Sequence, residues 1–174
     1  MFRGRASPEP TAAVTQGRGQ VKAKHCVVVV SGHVVSDGVL LFGKADLYIC
    51  EAFTLTSTGD VCCRLHHKTN VRDSYICNMM TKEKRPSPSC KRWSYDDIKE
   101  ANFMRYLLED NALEIFLKNG ASVFLVFFNN DHVNAYKRLC SVVSSLKAKG
   151  PETVFNVSID RKTINPLNNI QPLH

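Results

Sequence analysis

The sequence predicts a mostly β fold, a small barrel of antiparallel strands closed at one end by a C-terminal α-helix. Residues 112–117 and 122–128 are short, apolar runs rich in β-branched and aromatic side chains, which is typical of strands. The four residues between them contain an Asn-Gly pair, a strong signal for a tight hairpin. After Phe128 the apolar residues recur at helical spacing as far as Leu146, so the strands are followed by one amphipathic helix.

Eight strands account for the apolar and alternating segments of the chain. The first contains Val27–Val30, an uncharged β-branched run that suits a strand buried in the middle of a sheet. Turn-forming residues separate this segment from those that follow it. We predict strands at 26–35, 38–43, 46–55, 61–67, 91–95, 98–108, 112–117 and 122–128.

The predicted helix has start and stop signals of its own. Asn129, Asn130 and Asp131 are residue types that cap helices by accepting backbone N–H bonds. Basic residues follow the last apolar position, where they complement the negative end of a helix, and Gly150 precedes a proline that ends it. The apolar face of the helix is formed by Val133, Tyr136, Leu139, Cys140, Val143 and Leu146.

Several of these segments resemble a known family in their order and spacing. The run Trp93–Ile98, then Arg105–Leu108, then Asn111–Phe116 and Phe124–Phe128 is similar to the pleckstrin-homology-like domain that precedes the BEACH domain in large vesicle-trafficking scaffolds. Upstream, residues 38–44 and 47–51 resemble the first hairpin of the same domain. The resemblance covers about 34–146 and is strongest to the branch containing the lysosomal trafficking regulator and the autophagy-linked FYVE-containing protein.

This resemblance implies both a fold and a role. The implied fold is a pleckstrin-homology-like β-barrel, two packed antiparallel sheets capped by one C-terminal α-helix. The implied role is a non-catalytic protein-interaction module of a BEACH-family scaffold in vesicle, lysosome or autophagy trafficking. Its implied partner is a BEACH domain, in the same or a related chain, against which the domain packs.

The strand at 98–108 suggests where such a partner docks. Apolar side chains occupy both of its faces, which is more than a strand with a single buried face requires. Arg105 within this run is expected either to pair with a carboxylate such as Glu114 or to reach across an interface. We therefore predict that Arg105, Tyr106, Asn111 and Glu114 contribute to docking of the BEACH domain.

Charge and composition divide the chain into three parts. Residues 1–24 carry five basic residues against one acid and read as a disordered basic tail, while 25–150 form the domain and 151–174 a linker or tail. A basic loop at 81–92 has the same net charge of +4. The whole chain is +7, so the remainder is near −1, and we expect no nucleic-acid partner.

The competing function is a membrane-surface module that binds anionic phosphoinositide lipid through the basic tail and loop. Such exposed charge attracts anionic surfaces weakly and in a salt-sensitive way. Many pleckstrin-homology domains instead use a basic cluster on the first hairpin, but here Lys44 is followed closely by Asp46, so that clamp is missing. The alternative lipid-binding residues are Lys82, Lys84, Arg85, Lys91 and Arg92.

Localisation follows from the residues that are absent. No stretch approaches the roughly 20 apolar residues of a membrane-spanning helix, and the first residues lack the apolar centre of a signal peptide. The chain is expected in the cytoplasm, peripherally on endosomal, lysosomal or autophagic membranes. Its seven cysteines, an odd number, are expected to be reduced thiols.

No cofactor, metal or catalytic group is predicted. Cys62, Cys63, His66 and His67 bring four metal-capable side chains together, but neighbours in a strand point to opposite faces, which prevents convergence on one zinc. Cys50, Cys77 and Cys90 remain as alternative recruits. The acidic residues at 96–97, 100 and 131 accompany no activated nucleophile, so we expect no enzyme.

Overall fold

The computed structural model describes residues 20–64 and 87–147, which contain nine strands and two helices. A short 3₁₀ turn at Tyr95–Asp97 joins two of the strands. The elements are β1 (Ala23–Ser31), β2 (Val34–Phe42), β3 (Asp46–Glu51), β4 (Phe53–Leu55), β5 (Val61–Cys63), β6 (Ser89–Ser94), β7 (Ile98–Tyr106), β8 (Glu109–Leu117), β9 (Ser122–Phe127), α1 (Asp131–Val142) and α2 (Ser144–Lys147).

Seven strands form one antiparallel sheet in the order β6-β3-β2-β1-β9-β8-β7, and β4 pairs with β5 in a second, two-stranded sheet. The edge strands β6 and β7 are consecutive in the chain and are separated only by the turn Tyr95–Asp97. Because three residues bridge only a short distance, the large sheet must curl until its two edges meet. The predicted class, a mostly β chain of antiparallel sheets followed by a C-terminal helix, is confirmed.

The inside of the curled sheet holds the main hydrophobic core. Strand alternation directs Val27 and Val29 of β1 inward, beside residues from β2, β3, β7, β8 and β9. Helix α1 contributes Leu139, and α2 contributes Leu146, both buried in the same cluster. The helices therefore plug one open end of the barrel, as the helical periodicity predicted.

The outside of the sheet carries two further apolar clusters, and one of them is covered by the second sheet. Val39 and Leu41 of β2 point outward with Cys50 of β3, and they pack under Phe53 of β4. Partly buried residues of β5 complete this cover. The β4–β5 hairpin is thus a lid over one outer face of the barrel.

A buried histidine ties the first strand to the helix. The Nδ1 of His25 lies 2.6 Å from Oδ2 of Asp131, the first residue of α1, and the imidazole meets the rings of Phe42 and Phe127 edge-on. The predicted helix cap is wrong in detail, since Asn130 is the N-cap in a left-handed conformation without a side-chain cap bond. Asp131 binds His25 and accepts a hydrogen bond from Asn134 instead of capping the helix.

The largest error in the strand predictions concerns the hairpin formed by β1 and β2. Its turn lies at Gly32-His33, with Gly32 at φ +59°, rather than between 35 and 38. Gly38 sits inside β2 between Val27 and Glu51 on its two neighbouring strands. A single left-handed residue, Ala52 at φ +62°, also splits the predicted strand 46–55 into β3 and β4.

The thiol prediction is wrong for two of the cysteines. Cys50 of β3 and Cys90 of β6 are direct cross-strand partners with Cα atoms 4.0 Å apart, and they are joined in a disulfide. The pairing depends on a register between segments 40 residues apart, which the odd cysteine count did not reveal. Cys26, Cys62, Cys63 and Cys140 are free thiols.

Parts of the predicted domain organisation lie outside the described residues, including the tail at 1–19, the segment 65–86 and residues 148–174. Within the described residues, β1 begins at Ala23 and β6 at Ser89, so strands extend into both of the basic segments. The domain boundaries stay predictions. In the described part of the chain, no helix is long and apolar enough to cross a membrane.

Gly38 generates the first testable prediction. A Cβ at this position would lie 2.9 Å from Cγ2 of Val29 and 3.1 Å from the carbonyl oxygen of Cys50. Because one of these contacts is backbone, we expect Gly38→Ala to lower the free energy of unfolding by about 1–3 kcal/mol in chemical denaturation. The exposed Lys99→Ala on β7 is the control and should stay within about 0.5 kcal/mol of the parent; equal stability of the Gly38 variant would contradict the close approach.

Tyr95 generates the second. Its hydroxyl donates to the carbonyl oxygen of Gly43 at 2.9 Å, and burial raises its pKa to about 12 from 10.0. Since the folded pKa lies above the unfolded one, this stabilisation is complete below pH 10 and is lost as the pH rises toward 12.

We expect Tyr95→Phe to lower stability by about 1–3 kcal/mol at neutral pH, because the carbonyl of Gly43 is left unpaired. The gap between parent and variant, measured by denaturation at successive pH values, should shrink from pH 10 to 12. A gap that stays constant over that range would show that Tyr95 is not held in its neutral form by the fold.

Candidate functional site

A second outer cluster lies on β7, β8, β9, β1 and the start of β2, and we refer to it as the outer apolar face. Its centre is fully enclosed, with Val28, Ala112 and Val126 at 0% exposure. Apart from Phe128, directly after β9, its members all belong to strands of the main sheet, so no other described element joins it. The centre consists of Val28, Val35, Ala112 and Val126, and the partly exposed rim of Val30, Met104, Tyr106, Phe124 and Phe128.

The strand sequences explain why this face is apolar. In β9 the inward Leu125 and Phe127 alternate with the outward Phe124 and Val126, so both sides of the strand bury apolar surface. The ring centroids of Tyr106 and Phe124 lie 6.0 Å apart. Three aromatic side chains of this face, Tyr106, Phe124 and Phe128, are partly exposed.

A polar group borders the apolar residues. Glu114 of β8 lies opposite Phe124 in the register and is partly buried, and its Oε1 accepts a hydrogen bond from the hydroxyl of Ser122 at 2.8 Å. Asn102 of β7 lies opposite Glu114 on the other side. Apolar centre and polar border together have the anatomy of a protein–protein interface.

The β7–β8 hairpin extends this face at one end. Its pairing closes at Tyr106 and Glu109, leaving Leu107 and Leu108 as a two-residue loop. Arg105 braces the loop, since its Nη2 donates to the carbonyl oxygen of Leu108 at 2.9 Å and its Nε lies 3.2 Å from Oδ1 of Asp110. The strand predicted at 98–108 therefore ends two residues early, in a turn.

The structure separates the four predicted docking residues. Tyr106 belongs to the outer apolar face, and Glu114 shares the side of β8 that carries Ala112. Asn111 lies in the irregular part of β8, where the register with β7 shifts, and its amide donates to Glu109. Arg105 takes Asp110 as its carboxylate partner, not Glu114. Docking by these four residues stays a prediction.

Asn111 has a local role as well. Its Nδ2 donates to Oε2 of Glu109 at 3.2 Å, and its Oδ1 is buried without a hydrogen bond from any described residue.

Leu107 and Leu108 are the functional candidates that the sequence placed inside a strand. The sequence contains no turn signal at this position, because the loop contains neither Gly nor Asn, the residues that normally mark such a turn.

The residues of the lipid alternative are only partly described. Lys91 pairs with Glu51 at 2.9 Å, and Arg92 pairs with Asp46 at 3.1 Å, both across the β3–β6 ladder. Each cation thus has a carboxylate at close range, which weakens its attraction for an anionic surface. Lys82, Lys84 and Arg85 lie outside the described residues.

The metal candidates do not assemble among the residues described. No group of three potential metal ligands occurs there, and His66 and His67 lie outside the described part. The His25–Asp131 pair joins residues 106 positions apart and was not predictable from the sequence. The pair holds β1 against the start of α1.

Comparison with known proteins gives one family and several relatives. A model described as the PH domain associated with Beige/BEACH matches residues 26–140. The human and mouse proteins called WD repeat- and FYVE domain-containing protein 4 are 50% identical over 131 residues and 46% identical over 140 residues, covering 75% and 79% of this chain. The human Lysosomal-trafficking regulator is 29% identical over 106 residues, or 61% of the chain. The chain spans only 2–4% of the length of these relatives.

Proposed function

The chain belongs to the family of PH domains associated with Beige/BEACH, and we propose that it is a non-catalytic interaction module that packs against a BEACH domain. The observation that carries this proposal is the outer apolar face. It presents partly exposed aromatic and aliphatic side chains on a rigid sheet, a composition typical of the centre of a stable interface.

Comparison with the other outer apolar face of the barrel supports this choice of surface. The apolar outside of β2 and β3 packs under the β4–β5 hairpin, whereas the apolar members of the outer apolar face come from the main sheet and from Phe128 alone among the described residues. A partner in the same polypeptide would bury the partly exposed rim of this face. The relatives are many times longer than this chain, which leaves room for such a partner.

Within this surface we assign different tasks to the predicted residues. The rings of Tyr106 and Phe124, which lie side by side, form the apolar contact. Glu114 supplies a carboxylate at the border. Arg105 and Asn111 shape the hairpin beside that contact. Arg105 donates to the turn, and Asn111 donates to Glu109. All four then contribute to docking, two by contact and two by positioning.

The cellular setting is part of the proposal. We infer a scaffold role in vesicle, lysosome or autophagy trafficking, supported by the similarity to a protein called Lysosomal-trafficking regulator. The proposed location is cytoplasmic, peripherally on endosomal, lysosomal or autophagic membranes. Pairing of Lys91 and Arg92 with carboxylates favours contact with protein over direct contact with anionic lipid.

The third prediction concerns binding to a BEACH domain, cloned from a relative that carries one. Calorimetry should detect binding that changes little between about 0.1 M and about 1 M salt, because a packed interface is screened much less than exposed charge. We expect Phe124→Asp to weaken this binding at least about tenfold, since it replaces an aromatic ring on the rim of the outer apolar face with a charge. Glu114→Arg should also weaken it.

Two variants serve as controls for this measurement. Glu114→Gln retains an acceptor for Ser122 and should bind more tightly than Glu114→Arg, and Lys99→Ala on β7 should bind like the parent. Unchanged affinity of both Phe124→Asp and Glu114→Arg would exclude this face as the docking surface. Binding to phosphatidylserine vesicles that disappears at high salt, with no binding to the BEACH domain, would favour the membrane-surface function instead.

A further inference from the structure

We propose that the tip of the β7–β8 hairpin, Leu107 and Leu108, is an apolar anchor that inserts into a pocket of the BEACH domain. This inference rests on the proposed function and adds to it a second point of contact, outside the sheet. Leu107 is 42% exposed and Leu108 is 86% exposed, and they are the exposed large apolar side chains of the described residues.

The backbone of the tip is adverse for leucine. Leu107 and Leu108 have φ of +51° and +71°, and a two-residue hairpin loop with both angles positive is a type I′ turn. Side chains with a Cβ are disfavoured in this left-handed region, which Asn and Gly tolerate best. Two consecutive leucines therefore strain the backbone and expose apolar surface at the same place.

The other hairpins of the main sheet use the residues that turns prefer. The β1–β2 turn has Gly32 at φ +59°, and the β8–β9 turn has Gly120 at φ +86° after Asn119. The β2–β3 turn also contains a glycine, Gly43. The β7–β8 tip contains neither Gly nor Asn. Strain that persists at an exposed site, without a packing contact to explain it, indicates a function for the side chains.

The tip is also held in a fixed shape. Arg105 donates from Nη2 to the carbonyl oxygen of Leu108 and pairs through Nε with Asp110, so one guanidinium bridges both sides of the loop. A loop that is already ordered loses less conformational freedom on binding. The leucines are thus presented as a preformed knob rather than as a flexible tip.

The charges around the tip select a protein as its occupant. Glu109 and Asp110 follow the leucines directly, and with Arg105 they leave the tip a net charge of −1, which an anionic bilayer would repel. Tyr106 precedes them and belongs to the outer apolar face, so tip and face form one continuous surface. The proposed occupant is therefore the partner of that face, a BEACH domain, and the pocket that receives the tip is expected to be apolar with a basic border.

Replacing the tip with the turn's preferred residues gives opposite effects on stability and binding. The double variant Leu107→Asn/Leu108→Gly should raise the unfolding midpoint by about 2–8 °C, because it relieves strain. It should also weaken binding to the BEACH domain at least about tenfold, because it removes the anchor. Since the variant is expected to be more stable, unfolding cannot account for its weaker binding.

Leu107→Ala/Leu108→Ala is the matched control, which removes the apolar volume but keeps a Cβ at both positive-φ positions. It should weaken binding similarly without raising the midpoint. The assay uses the 174-residue chain, an isolated BEACH domain, and vesicles of phosphatidylcholine and phosphatidylserine in parallel.

The outcomes distinguish this inference from the proposed function. If the parent and both double variants bind the BEACH domain equally well, the leucine anchor is overturned and the docking function stands. Absence of parent binding to the BEACH domain overturns the proposed function, and the anchor with it. Vesicle binding by the parent that the double variants lose makes the tip a membrane contact and overturns its assignment to a protein pocket.

Discussion

Pairing of β1 with both β2 and β9 is the constraint on which the rest of the structure depends. This strand joins the half of the sheet that contains β2, β3 and β6 to the half that contains β7, β8 and β9. Its valines are buried on both sides, Val27 and Val29 in the core and Val28 under the outer apolar face. One strand therefore fixes the barrel and also builds the centre of the proposed docking surface, because an unbroken β-branched run suits burial on both faces.

Local chemistry made much of the fold predictable. The Asn-Gly pair marked the β8–β9 turn, and helical spacing marked α1. The β1–β2 hairpin was misplaced because the predicted break between 35 and 38 lies inside β2, where Gly38 is a close-approach position between β1 and β3. Nothing local shows which strand passes beside a glycine. The Cys50–Cys90 disulfide and the His25–Asp131 pair failed for the same reason, since both depend on long-range register.

The candidate site was predictable in outline and not in geometry. An excess of apolar residues on both faces of the strand at 98–108 correctly indicated that its outer side is apolar. The sequence did not show that Asn111 would lie at a register shift of β8, that Arg105 would brace a turn, or that Lys91 and Arg92 would find carboxylates across β3. The leucine tip was hidden because it violates the rule by which turns are found. Leucine is disfavoured in the left-handed backbone conformation of this tip. When an exposed residue is kept in a conformation that its type disfavours, a role in binding is the first explanation to test.

The most direct test of the central claim is oxidative footprinting of the chain, with and without an isolated BEACH domain. Met104, Tyr106 and Phe124 are partly exposed on the outer apolar face, while Tyr48 and Trp93 are partly exposed on β3 and β6. The account predicts that the BEACH domain slows oxidation of the first three side chains and leaves Tyr48 and Trp93 unchanged. Protection at Tyr48 or Trp93, with the outer apolar face still oxidised at its free rate, would contradict it.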